Sequence, residues 1–245
     1  PIYEPGRRDG DWWRLGRFMF ACGVRRGDIV QNCFAYHLTP AGMMFDSAAR
    51  AVDAAVLPAG TGQTDLQVRA AADIGSTVYA GTPDFLKQIL DRADELGKTL
   101  SFTRAAVAGG ALFPSLRQHY ADRGIATRQC YATADLGNIA YESEAMEGMI
   151  VDEGVIVEIV RPGTGDPVAP GEVGEVVVTT CGACGNPADR ARRDDRLERV
   201  VRQSVAVFDA ILHGGSLSAG RGARGCVPWG CKSRARRAPP RRRRP

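Results

Sequence analysis

The chain has 245 residues, 44% of them apolar and 24% charged, which is ordinary for a soluble globular protein and enough for one large domain or two small ones. No stretch reaches the roughly 18 uninterrupted apolar residues of a membrane helix, and the opening "PIYEPGRRDG" is too polar for a signal peptide. The net charge of +4 conceals two parts: residues 1–180 hold 16 Lys+Arg against 23 Asp+Glu (−7), and residues 181–245 hold 16 against 5 (+11). The seven cysteines (Cys22, Cys33, Cys130, Cys181, Cys184, Cys226 and Cys231) are an odd number without a secretory signal, which argues against a disulfide framework. Three of them lie in apolar, periodic stretches and read as small core residues of a cytoplasmic protein.

In chain order, residues 11–23 place Trp12, Leu15, Met19 and Cys22 on one helical face closed by Gly23. "DIVQNCFAY" reads as a strand, residues 41–52 as a helix, and "AAVLPAG" as a short buried strand cut by Pro58 and Gly60. "TDLQ" at 64–67 has the form of a capping box, with Thr64 as cap and Gln67 reaching back. "STVYAG" is a further strand, followed by "TPDF" with Thr82 as cap and Pro83 in the first helical position. That helix buries Phe85, Leu86, Ile89, Leu90, Ala93 and Leu96 and stops at Gly97. "RAAVAGGA" is a strand running into a glycine turn, Pro114 to Arg123 a helix, and "ATRQCY" the next strand. A loop is expected after it. "GVIVEIV" and "GEVVVTT" then read as β, separated by "RPGTGDPVAPGE", where Gly163 and Gly165 supply turn conformations and Asp166 belongs to a hairpin.

The fold expected is α/β, a parallel sheet with flanking helices over residues 1–150, a short antiparallel β segment over 151–180, and an irregular basic tail over 181–245. In open sheets of this kind ligands sit outside the carboxyl ends of the strands. The segments to inspect are therefore "FAYHLTPAG", "PAGTGQT", "AGTPDF", "AGGALFP" and "CYATADLG". Most of them carry glycines or hydroxyls that aim backbone N–H groups at an anion.

These segments, taken in order with "QCYATADLGNIAYE" and "GEVGEVVVTT", resemble the middle of an AMP-forming acid–CoA ligase of the phenylacetate–CoA ligase type. The resemblance implies the flavodoxin-like subdomain of an adenylate-forming enzyme and a two-step reaction. A carboxylate attacks the α-phosphate of ATP to give an acyl-adenylate and pyrophosphate, and the thiol of coenzyme A then displaces AMP. Mg²⁺ and oriented donors would manage the meeting of two anions.

By the same resemblance, "YATAD" stands for the family's Tyr-Gly-X-Thr/Ser-Glu motif. Tyr131, Ala132 and Thr133 fall on the nucleotide, with Tyr131 near the adenine, and Asp135 offers Mg²⁺ a hard oxygen ligand. The departures are Ala132 for Gly, Ala134 for a hydroxyl, and Asp for the longer Glu; the "TADLG" form itself resembles one branch of the family. Gly109, Gly110 and Ala111 resemble the turn that lays its backbone against the adenine, because absent side chains permit close approach. Tyr36, His37, Gly42 and Gly137 fall on the acyl-substrate pocket, His37 as an aromatic gate; a satisfied core or helix-start histidine is the competing reading of His37. Expected partners are a carboxylic acid, ATP and coenzyme A.

The resemblance places the family's phosphate loop before Pro1, and its ribose-binding Asp and catalytic Lys after "VVVTT". The chain as given is therefore expected to be a fragment without ligase activity. In the tail, Gly, Ala, Arg and Pro make up 37 of 65 residues, which suggests a shifted reading frame or a gene-boundary error. Two competing readings are a Zn²⁺ site at Cys181, Cys184, Cys226 and Cys231, and a non-catalytic protein whose basic tail binds nucleic acid. A solvated, disordered end is the preferred reading. Leu197, Val200, Val201, Phe208 and Ile211 have roughly helical spacing.

Overall fold

The computed structural model describes residues 10–169, 171–180 and 200–203. Five short strands, β1 (Ile29–Asn32), β2 (Ala55–Pro58), β3 (Val78–Gly81), β4 (Arg104–Val107) and β5 (Ala126–Thr133), run parallel in the order β2-β1-β3-β4-β5. Helices α1 (Gly16–Ala21), α2 (Ala41–Ala51), α3 (Thr64–Ile74), α4 (Pro83–Glu95) and α5 (Pro114–Asp122) lie between or before them. Strands β6 (Gly137–Glu142) and β7 (Met149–Val151) extend the same sheet antiparallel. Strands β8 (Val155–Val160), β9 (Glu175–Thr180) and β10 (Val200–Gln203) form a second, antiparallel sheet.

Alternation along the strands divides the core in two. Val30, Val78, Ala80, Ala106 and Cys130 face α1 and α2, meeting Phe18, Met19, Met44, Phe45, Ala48 and Ala49. Tyr79, Ala105 and Val107 face the opposite way, toward Val68, Ala71, Leu86, Ile89, Leu90 and Tyr120. Each large aliphatic buried there contributes about 1.5–3 kcal/mol. A third cluster, Tyr131, Leu136, Ile139, Val155, Val176 and Val178, joins the β5–β6 hairpin to the second sheet. The order 2-1-3-4-5 is flavodoxin-like, and the connections reverse direction between β1 and β3, which opens a crevice at the strand tips there.

Several expectations need correction. The first helix is Gly16–Ala21 rather than 11–23, because the Asp11 carboxylate accepts the N–H groups of Leu15 (3.1 Å) and Gly16 (2.6 Å) and Arg14 takes a left-handed φ of 61°. No capping box forms at 64–67: Gln63 precedes the helix, and the Gln67 amide donates to the Ala59 (3.2 Å) and Gly60 (2.9 Å) carbonyls while accepting from Gln31 Nε2 (2.7 Å). Thr82 does precede α4 with Pro83 at its start, but the hydroxyl makes no cap bond. β2 is an exposed to half-exposed edge strand, not a buried one. The loop expected after β5 is instead strand β6, paired from Thr133↔Gly137 to Cys130↔Tyr141 with a register shift at Tyr131/Ala132.

The turn at 161–166 matches expectation, with Gly163 at φ 84°, Gly165 at φ 78° and Arg161 N–H donating to the Asp166 carbonyl (2.7 Å). Residues 200–203, expected within a helical pattern, pair as a strand with β9 (Val200↔Thr179 to Gln203↔Val176). The remaining expectations for the tail, including the four cysteines from 181 onward, lie outside the described residues.

Candidate nucleotide and acid site at the strand tips

The tip of β1 is organised by Asn32, a fully buried side chain. Its Nδ2 donates to Tyr36 Oη (2.8 Å) and to the Gly42 carbonyl (2.8 Å), and its Oδ1 accepts the Phe34 N–H (3.2 Å). Its own carbonyl accepts the Gly60 N–H (2.9 Å), so one residue ties together the loops after β1 and β2. Tyr36 lies over Gly42, where an added Cβ would stand 2.7 Å from the Ala35 carbonyl and from the Tyr36 ring; only glycine fits. The phenol also donates to Asp46 Oδ2 (3.3 Å), and burial followed by that carboxylate pushes it well above the ordinary tyrosine range. Beyond it, His37 and Leu38 are exposed, Leu38 at φ 58°. His37 is therefore on the surface of the loop, not a core histidine.

The tips of β3 and β4 meet β1 at the switch point. Gly109 has φ 71°, and a Cβ there would be 3.7 Å from the Thr82 methyl and 3.8 Å from the Phe34 ring. A Cβ on Gly110 would lie 3.3 Å from Pro83 Cδ. The Thr82–Pro83 backbone is held from below, since Tyr79 Oη donates to the Thr82 carbonyl (2.9 Å) and Tyr120 Oη to the Pro83 carbonyl. The result is a bare backbone rim, Gly109–Gly110–Ala111, exposed at its glycines and flanked by a methyl and an aromatic edge. Such a rim can receive a flat ring at close range.

β4 ends at Val107 opposite Gln129, and β5 continues past that pair through Tyr131 to Thr133. Tyr131, 8% exposed, packs into the third cluster, and burial raises its phenol. The turn beyond is tightly held. Leu136 N–H donates to Thr133 Oγ1 (3.1 Å), Trp13 Nε1 to the Ala134 carbonyl (3.2 Å), and Arg14 Nη2 to the carbonyls of Leu136 (2.8 Å) and Asn138 (3.0 Å). Arg14 Nε meets the buried Asp152 at 2.8 Å, and Asp152 also accepts from Asn138 Nδ2 (3.1 Å). Gly137, at φ 74°, lies with its Cα against Trp13, whose carbonyl would be 2.5 Å from an added Cβ. Asp135 sits at the half-exposed head of this turn. Below it, Glu142 accepts from Arg117 Nη2 (2.6 Å), Gln129 N–H (2.9 Å) and Gln129 Nε2 (3.0 Å), fixing α5 to β5 and β6.

The structure thus brings Gly109 and Gly110 to Thr82, Pro83 and Phe34, and packs Tyr36 on Gly42. Thr133, Ala134, Asp135 and Gly137 share one turn, and Gly137 backs onto Trp13. Sequence reasoning missed Asn32, Trp13, Arg14 and Asp152. Only the pairing of an unusual strand-end Asn with the "AG" of the next helix offered a signal, and only for Asn32. Among the described residues no three His, Cys, Asp or Glu side chains gather as a metal cage. The donor chemistry at Asp135 fits Mg²⁺ of the kind that takes one protein carboxylate and completes its shell with phosphate oxygens and water. The thiols of Cys22, Cys33 and Cys130 are buried and unpaired, and burial pushes Cys33 up to about 12. No helix among the described residues is long and apolar enough to cross a membrane.

Among solved structures, the chain matches an open conformation of 2-hydroxyisobutyryl-CoA ligase in complex with 2-HIB-AMP and CoA, with a TM-score of 0.63 and 19% identity, over 69% of this chain and 41% of that one. It also matches a long-chain-fatty-acid-CoA ligase from Archaeoglobus fulgidus (TM-score 0.53, 14% identity, 68% and 36% of the two chains). The fold is that of the CoA ligases of the adenylate-forming family. In sequence the chain is a relative of phenylacetate-coenzyme A ligases. It is 25% identical to that of Thermus thermophilus over 174 residues (68% of this chain, 39% of the relative) and 26% identical to that of Escherichia coli over 200 residues (77% and 46%). It spans less than half the length of these relatives. No family model matches the chain.

Proposed function

We propose that this chain is the nucleotide- and acid-binding α/β part of an acid–CoA ligase that acts on an aryl acid of the phenylacetate kind. The observation that carries this reading is the meeting of the β1, β3 and β4 tips, where Gly109 turns an open backbone toward Thr82 and Phe34 at 3.7 and 3.8 Å. Gly109, Gly110 and Ala111 receive the adenine, with Tyr131, Ala132 and Thr133 completing that side. Tyr36, His37, Gly42 and Gly137 shape the acid pocket, and Asn32 holds its loop. A carboxylate oxygen of the acid bonds to the α-phosphorus of ATP as the bond to pyrophosphate breaks. The sulfur of coenzyme A then bonds to the acyl carbon as AMP leaves and the thiol proton is released. Mg²⁺ held through Asp135 supplies neutralisation of phosphate charge. The buried reduced thiols support a cytoplasmic setting.

The test is calorimetric titration of the 245-residue chain with ATP, with Mg²⁺ and with EDTA. Wild type should bind ATP, and Mg²⁺ should tighten the binding. Asp135→Asn should keep the metal-free affinity and lose the tightening. A chain that binds neither ATP nor AMP overturns the reading.

A further inference from the structure

We infer that Trp13 and Arg14 form a positioning clamp for the turn that bears Asp135, so that a segment 121 residues upstream of Ala134 sets where that carboxylate stands. The inference rests on the ligase reading above. The clamp grips the carbonyls on either side of Asp135: Trp13 Nε1 holds that of Ala134 at 3.2 Å, and Arg14 Nη2 holds that of Leu136 at 2.8 Å. Its grip is itself anchored. Arg14 Nε is fixed by Asp152 at 2.8 Å, and Asp152, with no exposed side-chain surface, is fixed in turn by Asn138 Nδ2 (3.1 Å) and Gly154 N–H (2.9 Å).

These bonds are not what the hairpin needs to form. The β5–β6 ladder closes at Thr133↔Gly137, and Thr133 Oγ1 already accepts the Leu136 N–H at 3.1 Å. A β-hairpin turn closed this way is complete within itself. The additional contacts from Trp13 and Arg14 come from outside the hairpin and fix its tilt against the rest of the sheet. Two features show that the fit is specific. Arg14 adopts φ 61°, a backbone conformation that L-residues with side chains rarely take, and Gly137 leaves 2.5 Å between its missing Cβ and the Trp13 carbonyl. Partners that orient a metal ligand from behind are typically worth about 10- to 100-fold in metal affinity. Trp13 and Arg14 hold the backbone on either side of Asp135 rather than its carboxylate, so the lower end of that range is expected.

The experiment compares Trp13→Phe, Arg14→Gln and Asp135→Asn in the 245-residue chain. Trp13→Phe keeps an aromatic ring against Trp12 and removes the indole N–H together with part of the buried ring, a packing loss that the metal-free affinity and circular dichroism register separately. The readouts are circular dichroism for folding, ATP affinity with Mg²⁺ and with EDTA, and amide hydrogen exchange over residues 134–138. Both clamp variants should fold, keep the metal-free affinity, lose at least about tenfold of the Mg²⁺ enhancement, and exchange faster over 134–138. Should Arg14→Gln fail to fold, Trp13→Phe decides. An equal loss with and without Mg²⁺ assigns the segment a structural role only and overturns the clamp. If Asp135→Asn abolishes the enhancement while Trp13→Phe retains it, the clamp alone falls. A wild-type chain that binds ATP with no Mg²⁺ enhancement removes the metal role of Asp135, and the clamp with it, and one that binds neither ATP nor AMP removes the ligase reading itself.

Discussion

Gly137 and Gly124 offer a matched pair. Their φ values are 74° and 76°, so an alanine at either meets the same backbone strain, about 1–2 kcal/mol for an L-residue in the left-handed region. Part of that is offset, by about 0.4–1 kcal/mol, because alanine also restricts the unfolded chain. They differ in their surroundings. Nothing lies within 4 Å of a Cβ on Gly124, whereas a Cβ on Gly137 would be 2.5 Å from Trp13 O and 2.8 Å from Trp13 Cα. Backbone cannot move aside as a flexible side chain would, and overpacking of this kind costs about 1–3 kcal/mol. Gly137→Ala should therefore be less stable than Gly124→Ala by about 1–3 kcal/mol. At about 2–4 °C per kcal/mol for a chain of this size, the two melting temperatures should differ by about 2–12 °C. Thermal melts followed by circular dichroism, with urea midpoints at unchanged slope, measure it. Equal melting temperatures for the two variants would refute the close seating of Gly137 on Trp13, and with it the geometry of the turn.

Glu142→Ala should cost about 3 kcal/mol, at the lower end for a broken buried ion pair because the Arg117 side chain keeps 26% of its surface in solvent. Glu142→Gln, which still offers an acceptor to Gln129, should cost less, and urea midpoints separate the two. Asp11 carries a pH signature. Burial raises its carboxyl above the ordinary 3.8 despite the N–H groups of Gly16 and Leu15, so the folded chain takes up a proton at a pH where the unfolded chain does not. Ionised Asp11 thus detracts from stability above its folded pKa, and the loss is relieved as pH falls through that value toward 3.8. Wild type should gain stability relative to Asp11→Asn over that fall. A difference between the two chains that stays constant from pH 7 to about 4 would contradict this.

The parallel half of the fold is legible because its elements obey simple periods, and the glycines and Pro83 mark the ends of strands and starts of helices. β6 was hidden for a physical reason. Five of its six residues are buried, so "GNIAYE" shows neither alternation nor a purely apolar run, and its Gly and Asn read as loop. Gln67 matched a capping pattern, but Gln31 on β1 offered a buried amide partner that only the tertiary fold supplies. The glycine tip at 109–110 was legible because a missing side chain is a local fact. The clamp was not, since its donors address backbone carbonyls, which carry no sequence identity, across 121 to 124 residues. Trp13 and Arg14 also lie in a stretch whose apolar spacing reads as helix, and it was Asp11 that stopped the helix short.

The departures within "YATAD" become intelligible in the same geometry. A glycine at position 132 would be needed if the chain turned there through a left-handed conformation. Instead the register shifts between Tyr131 and Ala132, and Ala132 is absent from the described residues with positive φ. Its methyl packs partly against the first core, so the substitution fills space rather than straining backbone. Ala134 gives up a side-chain hydroxyl, but its carbonyl is the one Trp13 holds. The remaining change shortens the acid at 135 by a methylene. A shorter side chain has fewer rotamers with which to correct a misplaced backbone, so its reach depends more on where the turn is fixed. On the ligase reading proposed above, an aspartate at this position and a turn gripped on both sides are two halves of one solution.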